Sequence, residues 1–204
     1  MNLSNVKKLA TVSAVALGLA WSGSAYSAPF EMDLNTLTVN VNATVDNTAD
    51  LVVTDLDFET IGVTSDPVDT AEMTLNPDNT ITEEFGPGLG TAPNEAHIVS
   101  DDDTGTAGVA TLSAALPNSD IFVYYSNLIN LTDGAAPDLV LASVQDNLAT
   151  PGSWDGTTLV VGIGTTNGTG DLVWNIGATI ETEATASQYD SNVYTGTFDV
   201  YLTY

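Results

Sequence analysis

The chain has 204 residues, of which 27 are aspartate or glutamate and only two are basic, Lys7 and Lys8, so its formal net charge is −25 at pH 7. It has no cysteine, which excludes disulfide bonds and leaves core packing and hydrogen bonding to stabilise the fold. Nucleic acid is excluded as a partner of the residues after Lys8, because neutralising phosphates requires lysine or arginine.

Residues 1–27 have the pattern of a signal peptide. Lys7 and Lys8 form a positive start, residues 9–21 are largely apolar, and small residues at 25–28 place a cleavage site before Ala28. We therefore expect export across the inner membrane of a Gram-negative-type bacterium, to the periplasm, the outer surface or the extracellular space. No later run is long and apolar enough for a spanning helix, so we expect no integral membrane segment after signal removal.

Residues 28–204 are predicted to form a single all-β domain. The first predicted strand places Leu37, Val39 and Val41 on one face and polar residues between them. Similar runs follow at residues 51–58, 68–75, 108–114, 121–125, 139–144, 158–163, 172–180 and 194–204, with turn formers between them. About nine strands in this pattern predict an antiparallel β-sandwich of the immunoglobulin-like, Greek-key kind.

The segment 62–106 interrupts this regularity. It mixes proline, glycine, aspartate and glutamate with few apolar positions. We expect a long, acidic, irregular segment facing solvent.

Several strand patterns resemble the bacterial family catalogued as domain of unknown function 4402. Residues 51–58 followed by Glu59-Thr60-Ile61 are similar to the family's opening, and residues 107–113 and 121–124 to its middle strands. Residues 175–180 and 194–204 are similar to its ending. Glu59 stands where the family usually has glycine. The resemblance implies an exported sandwich related in style to spore-coat-like and fimbrial subunits, with no established enzymatic function.

Export, acidity and this resemblance favour a non-catalytic structural protein of the cell surface, for example a fimbria-like or filament-like subunit. Its partners would be copies of itself or other surface subunits. Phe30, Met32 and Leu34 alternate as a donated strand requires, but the parity shifts before Leu37. Two interpretations follow: a free donor extension, or the domain's own first strand, which we favour.

A secreted calcium-binding module is an alternative. Asp101, Asp103 and Gly105 match the start of a calcium loop, but Leu112 stands where a bidentate carboxylate would complete it. We favour the interpretation that these acidic residues lie in one turn by chance. No cofactor is required by the sequence, and calcium is the one cation it suggests.

A secreted carbohydrate-binding module is the related alternative, because such a site needs exposed aromatic side chains. The candidates are Trp154, Trp174, Tyr124 and Tyr125. Core packing is the favoured interpretation for them.

A small outer-membrane β-barrel is the second alternative. Phe198, Val200, Leu202 and Tyr204 alternate with more polar residues up to the last position, as in strands that face lipid on one side. Most other predicted runs are shorter than the roughly 9 to 11 residues that a membrane-spanning strand needs.

The sequence offers little for catalysis. His97 is the only histidine, and we interpret it as a solvated loop residue. Asp103-Thr104-Gly105 matches the aspartic-protease signature once, whereas that chemistry needs two such carboxylates. We therefore predict that the protein is not an enzyme.

Overall fold

The computed structural model describes residues 35–45, 49–84, 96–101, 103–135 and 137–204. It contains fourteen β-strands in these ranges. They are β1 (Asn35–Val45), β2 (Asp50–Val53), β3 (Leu56–Thr64), β4 (Glu72–Leu75), β5 (Ile81–Glu84), β6 (His97–Ser100), β7 (Gly108–Ser113), β8 (Asp120–Thr132), β9 (Leu139–Asp146), β10 (Ser153–Trp154), β11 (Leu159–Val160), β12 (Gly162–Thr165), β13 (Leu172–Thr182) and β14 (Tyr194–Thr203).

The all-β prediction is confirmed: the described ranges contain strands and no helix. Accordingly, none of the residues described there forms a helix that is long and apolar enough to cross a membrane. The signal peptide predicted at 1–27 lies outside these ranges.

The strand count of about nine is too low for two physical reasons. The predicted strand at 51–58 is two strands, because β2 pairs with β7 whereas β3 pairs with β1 and β6. The strands β5, β6 and β10 have two to four residues each. Segments this short carry too little alternation to be recognised, and tertiary pairing defines them.

The strands form one curled sheet. A continuous hydrogen-bonded path runs in the order β2-β7-β13-β9-β8-β14-β1-β3-β6. The strand β12 pairs with β8, while β10–β11 and β4–β5 pair with β9 and β13 respectively. The path has two halves, β2-β7-β13-β9 and β8-β14-β1-β3-β6. They join where β8 pairs with β9, at the register pair of Leu131 with Leu139.

The sheet is mixed, which corrects the expectation of an antiparallel arrangement throughout. The strand β1 runs parallel to β14 over nine register pairs, from Leu37 with Tyr194 to Val45 with Leu202. Side-chain alternation specifies which face of a strand is buried, but it carries no information on the direction of the neighbouring strand. The sandwich and its Greek-key connections stay predictions.

The two halves of the sheet share one hydrophobic core. Along β14, Phe198 and Val200 are fully buried and alternate with Thr197 and Asp199, which face outward. The largest fully buried side chains come from both halves: Trp174, Tyr125, Tyr194, Phe58, Phe198, Leu37, Leu56, Ile61, Met73, Leu75, Ile98 and Leu112. A core of this kind supplies the stability that disulfides cannot.

The segment 62–106 is more regular than its composition suggests. Its described part contains the end of β3, the hairpin β4–β5 and the strand β6. The hairpin turn is held by Asn76, whose backbone N–H donates to the Thr80 carbonyl at 2.8 Å. Residues 85–95, the centre of the acidic stretch, lie outside the described ranges.

Candidate functional site

The position of β1 is the feature of the fold most relevant to assembly. It lies between two strands, parallel to β14 on one side and antiparallel to β3 on the other. Leu37 and Val39 point into the core and are fully buried, while Asn40 is half-buried on the opposite face. The strand nearest the expected mature N-terminus therefore occupies a slot inside the sheet.

The β3 side of this slot contains a bulge. The register with β1 shifts so that Leu37 pairs with Glu59 and Thr38 with Asp57, which leaves Phe58 as the extra residue. Glu59 adopts the left-handed conformation, with φ of 59°. The Asp57 carboxylate stabilises this turn of the backbone by accepting the Glu59 N–H at 2.7 Å.

Three acidic residues, Asp55, Asp57 and Glu59, lie close together at the bulge, and the other two affect the ionisation of Asp57. Burial raises the pKa of the Asp57 carboxyl, and the nearby charges of Glu59 and Asp55 raise it further. Hydrogen bonds from the Glu59 backbone and the Thr38 side chain act in the opposite direction. The structure therefore places a carboxyl that resists ionisation directly beside β1.

The β14 side of the slot is aromatic and aliphatic. Phe198 packs edge-on against Tyr125, with ring centroids 6.2 Å apart. Tyr194 begins the strand, and its hydroxyl accepts the Asp190 N–H at 3.1 Å. The contact between Phe198 and Tyr125 joins β14 to β8 without involving β1.

The favoured interpretation of the N-terminal region holds for the part that the structure describes. Residues 35–45 form the domain's own first strand. Phe30, Met32 and Leu34, the residues considered for a donor extension, lie outside the described ranges.

The two residues predicted for a calcium site, Asp101 and Asp103, are exposed and follow β6. The Asp103 carbonyl accepts the Ile81 N–H at 3.2 Å, so its backbone is part of the junction with β5. Among the residues that the structure describes, no three aspartate, glutamate or histidine side chains converge on one point as a metal site would require.

Gly105, the third residue of the calcium pattern, has a packing explanation. A Cβ atom there would lie 2.9 Å from the Leu75 Cδ1 atom and 3.0 Å from the Asp57 carbonyl oxygen. The neighbouring Thr104 and Thr106 form bridges with Thr80 and Asp57. Glycine is needed here because the backbone passes directly over β3 and β4.

The four candidate aromatic residues separate into two groups. Trp174 and Tyr125 are buried, which confirms core packing for them, while Trp154 and Tyr124 are half-buried. Tyr124 pairs with Tyr201 across β8 and β14, and Tyr201 is exposed on the outer face.

A polar group adjoins this pair of tyrosines. The Asp199 carboxylate accepts the Tyr201 hydroxyl at 3.1 Å and also the Asn127 side-chain amide. The outer face of β8 and β14 thus combines aromatic rings with an oriented carboxylate.

The residues considered for catalysis are parts of strand pairings. His97 opens β6 and pairs with Thr64 on β3. Asp103, Thr104 and Gly105 lie in the bridged segment beside β5. The backbone hydrogen bonds that Asp103 and Gly105 make with the hairpin β4–β5 give this sequence a structural role.

Sequence reasoning missed a buried carboxylate, Asp146, at the end of β9. It accepts a hydrogen bond from the Tyr125 hydroxyl at 2.7 Å, and Tyr125 in turn accepts one from Trp174 Nε1 at 3.3 Å. An aspartate just before a turn is ordinarily exposed, so its position gave no signal. The available signal was the pair of buried aromatics, because a buried tyrosine or tryptophan needs a partner for its polar atom.

Comparison with protein-family models, with curated proteins and with solved structures gave no match.

Proposed function

We propose that the protein is an exported, non-catalytic structural subunit of the cell surface that joins copies of itself through β1. The observation that carries this proposal is the position of β1, an 11-residue strand from the beginning of the expected mature chain. It is hydrogen-bonded on both sides and buries Leu37 and Val39 in the core. The same slot accepts the identical strand of a second copy without any new contact, which is the basis of strand exchange.

Two further observations support this assignment. The expected mature chain has 27 acids and neither lysine nor arginine, a composition suited to solubility outside the cell rather than to binding phosphate groups. Glu59 has a φ of 59°, a conformation that glycine adopts at the least cost. The bulge therefore favours glycine at position 59, which is the usual residue there in the family that the sequence resembles.

The test exploits the absence of native cysteines. Asn40 of β1 and Thr197 of β14 are register partners on the outer face, and adjacent strands lie about 4.8 Å apart, within the range that a disulfide spans. Two single variants, Asn40→Cys and Thr197→Cys, are mixed under assembly conditions and oxidised. We expect a covalent heterodimer, because the bond forms between the two chains only if β1 of one lies beside β14 of the other.

Two controls define the result. The double variant N40C/T197C should close the bond within one chain when the protein is monomeric. Replacing the T197C partner by Thr111→Cys, on the exposed face of β7, should give only collisional dimers. A yield from N40C with T197C no higher than from N40C with T111C, in a protein that stays monomeric by light scattering, contradicts strand exchange.

A second candidate function is binding of neutral carbohydrate, favoured by the outer face at Tyr124 and Tyr201. Flat aromatic rings offer apolar stacking area, and the Asp199 carboxylate beside them is a strong acceptor for hydroxyl groups. The acidic surface excludes anionic polysaccharides by repulsion. Co-sedimentation with a panel of insoluble neutral polysaccharides should be lost in Tyr201→Ala and kept in Thr111→Ala; equal retention of both variants would remove this candidate.

A further inference from the structure

Three side chains form a hydrogen-bonded chain through the core. Trp174 on β13, Tyr125 on β8 and Asp146 on β9 are 2%, 1% and 5% exposed. Trp174 Nε1 donates to the Tyr125 hydroxyl oxygen at 3.3 Å, and the Tyr125 hydroxyl donates to Asp146 Oδ2 at 2.7 Å. The chain ends on a carboxylate in a molecule without lysine or arginine after residue 8.

The direction of this chain is fixed by its first member. The indole N–H of Trp174 is a donor only, so the Tyr125 oxygen has to accept from it. The Tyr125 proton is then directed to Asp146. The carboxylate is the only member that can end the chain as a pure acceptor, and it does so only when it is ionised.

The second oxygen of the same carboxylate holds a turn. Asp146 Oδ1 accepts the backbone N–H groups of Leu148 and Gly152, each at 3.0 Å. The turn is also joined to β12, because Thr150 and Ile163 exchange backbone hydrogen bonds of 3.1 and 2.8 Å. One carboxylate therefore connects the core chain to the turn 147–151 and, through it, to β12.

The surroundings of Asp146 leave no room for a compensating group. A Cβ atom on Gly162 would lie 2.7 Å from Asp146 Oδ2. Tyr125 on β8 is the one titratable side chain that acts on the Asp146 carboxyl within the described residues, and the other groups that act on it are the Leu148 and Gly152 backbone N–H groups. Ile176 on β13 is the register partner of Asp146, and Gly162 on β12 approaches its Oδ2 atom.

Protonation changes the arrangement of the whole chain. Both lone-pair directions of Oδ1 are occupied by N–H groups, so the added proton sits on Oδ2 and has to be donated to Tyr125. The Tyr125 oxygen then receives two donors, and its own proton loses its acceptor. An unsatisfied buried donor is costly, so Tyr125 and Trp174 have to rearrange. Neutralising the carboxylate also removes the charge that strengthens the Leu148 and Gly152 hydrogen bonds to Oδ1, so the turn is held less tightly in the same step.

We propose that Asp146 is a buried proton switch that couples acidification to the conformation of the turn 147–151 and the adjoining strand β12. This inference is independent of the proposed surface function. Burial raises the pKa of the Asp146 carboxyl, while the hydrogen bonds from Gly152, Tyr125 and Leu148 lower it. Burial is the larger influence, so the pKa of the Asp146 carboxyl is raised overall and the switch operates at a higher pH than the titration of an ordinary aspartate.

The test uses the tryptophan of the chain as its reporter. In the mature chain carrying Trp154→Phe, Trp174 is the only remaining tryptophan after the signal peptide. We expect its emission to follow a one-proton transition on titration from about pH 8 to about pH 3, a window that brackets aspartate. The transition should be lost in Asp146→Asn and kept in Asp101→Asn, a control at an exposed aspartate.

A second variant tests the direction of the chain. Tyr125→Phe removes the hydrogen bond that favours the ionised carboxylate, so the transition midpoint should move to higher pH. A transition that persists in D146N, or that is absent in the parent while its circular dichroism shows a folded sheet, overturns the proposal.

Carbon-13 NMR of the unsubstituted mature chain covers the case in which D146N does not fold. The Asp146 carboxyl and the Gly152 amide should titrate with the same midpoint. An Asp146 signal that stays constant over the folded range, or that titrates without any change at Gly152, also overturns the proposal.

Discussion

Replacing Leu37 by alanine measures how firmly β1 is held in its slot. Leu37 is fully buried between β14 and β3. The substitution removes about three buried carbon atoms, which correspond to about 2.4 kcal/mol of transfer free energy. It also leaves a cavity that adds to the loss of stability. We expect the free energy of unfolding to fall by about 3 kcal/mol.

The assay is urea denaturation of residues 28–204, the expected mature chain, followed by circular dichroism and fluorescence. For a domain of this size, about 3 kcal/mol corresponds to a melting temperature lower by about 6–12 °C. Asn40→Ala is the matched control, because Asn40 lies on the same strand but is half-buried on its outer face. Its effect should stay below about 1 kcal/mol.

Two results would refute the reasoning. A loss below about 1 kcal/mol for L37A would mean that β1 does not pack in the core as described. Equal effects of L37A and N40A would mean that the inward and outward faces of β1 are wrongly assigned.

Four other measurements test separate features. Glu59→Gly should stabilise the protein by about 1 kcal/mol, because it relieves a left-handed non-glycine residue, whereas Glu59→Ala should not; equal melting temperatures for the two variants would contradict this. Ser100→Ala should be neutral or stabilising by up to about 1 kcal/mol, because the Ser100 hydroxyl is buried and has no hydrogen-bond partner among the residues that the structure describes; a clear loss of stability would reveal a partner. Because the pKa of Asp57 is raised in the folded state, its contribution to stability is present below about pH 4 and is lost as the pH rises through the folded value. The melting temperature should therefore fall between mild acid and neutral pH by less in Asp57→Asn than in the parent, and identical pH profiles would count against it. Asp155 has the opposite sign, because the Thr158 and Thr157 hydrogen bonds lower its pKa to about 2. Its contribution to stability is therefore present above about pH 4 and is lost as the pH falls through about 2. Asp155→Asn should lower the melting temperature at neutral pH and lower it much less at pH 2.

Long alternating runs were the part of the fold that the sequence predicted well. The runs beginning at Leu37, Leu172 and Tyr194 became β1, β13 and β14 with boundaries within two residues. Each has ten or eleven residues, enough repeats for a period of two to exceed chance. Local pattern and tertiary burial agree in these strands.

Pairing partners and strand direction could not be predicted in the same way. Nothing in residues 51–58 indicates that the chain leaves one half of the sheet at Asp55 and enters the other. The parallel neighbour of β1 is 157 positions later in the sequence, as the pair Leu37 with Tyr194 shows. Such contacts depend on how the whole sheet closes, and one strand's residue pattern does not encode that.

The candidate sites show a similar division. Core packing of Trp174 and Tyr125 was predictable from their size and apolar surface. Asp146 was not, because the sequence shows an aspartate beside a turn and does not indicate that the Tyr125 hydroxyl, on another strand, reaches its carboxylate. Asp101 and Asp103 match a calcium pattern in sequence, but the backbone between β6 and β7 directs them along an exposed segment.

The parallel pairing of β1 with β14 has a mechanical consequence. Force applied to the two ends of the domain pulls the start of β1 and the end of β14 in opposite directions along their common axis. The hydrogen bonds between these two strands are then stretched together rather than opened one after another. The ladder in question spans nine register pairs, so the domain resists stretching along the direction in which a chain of linked copies would transmit tension.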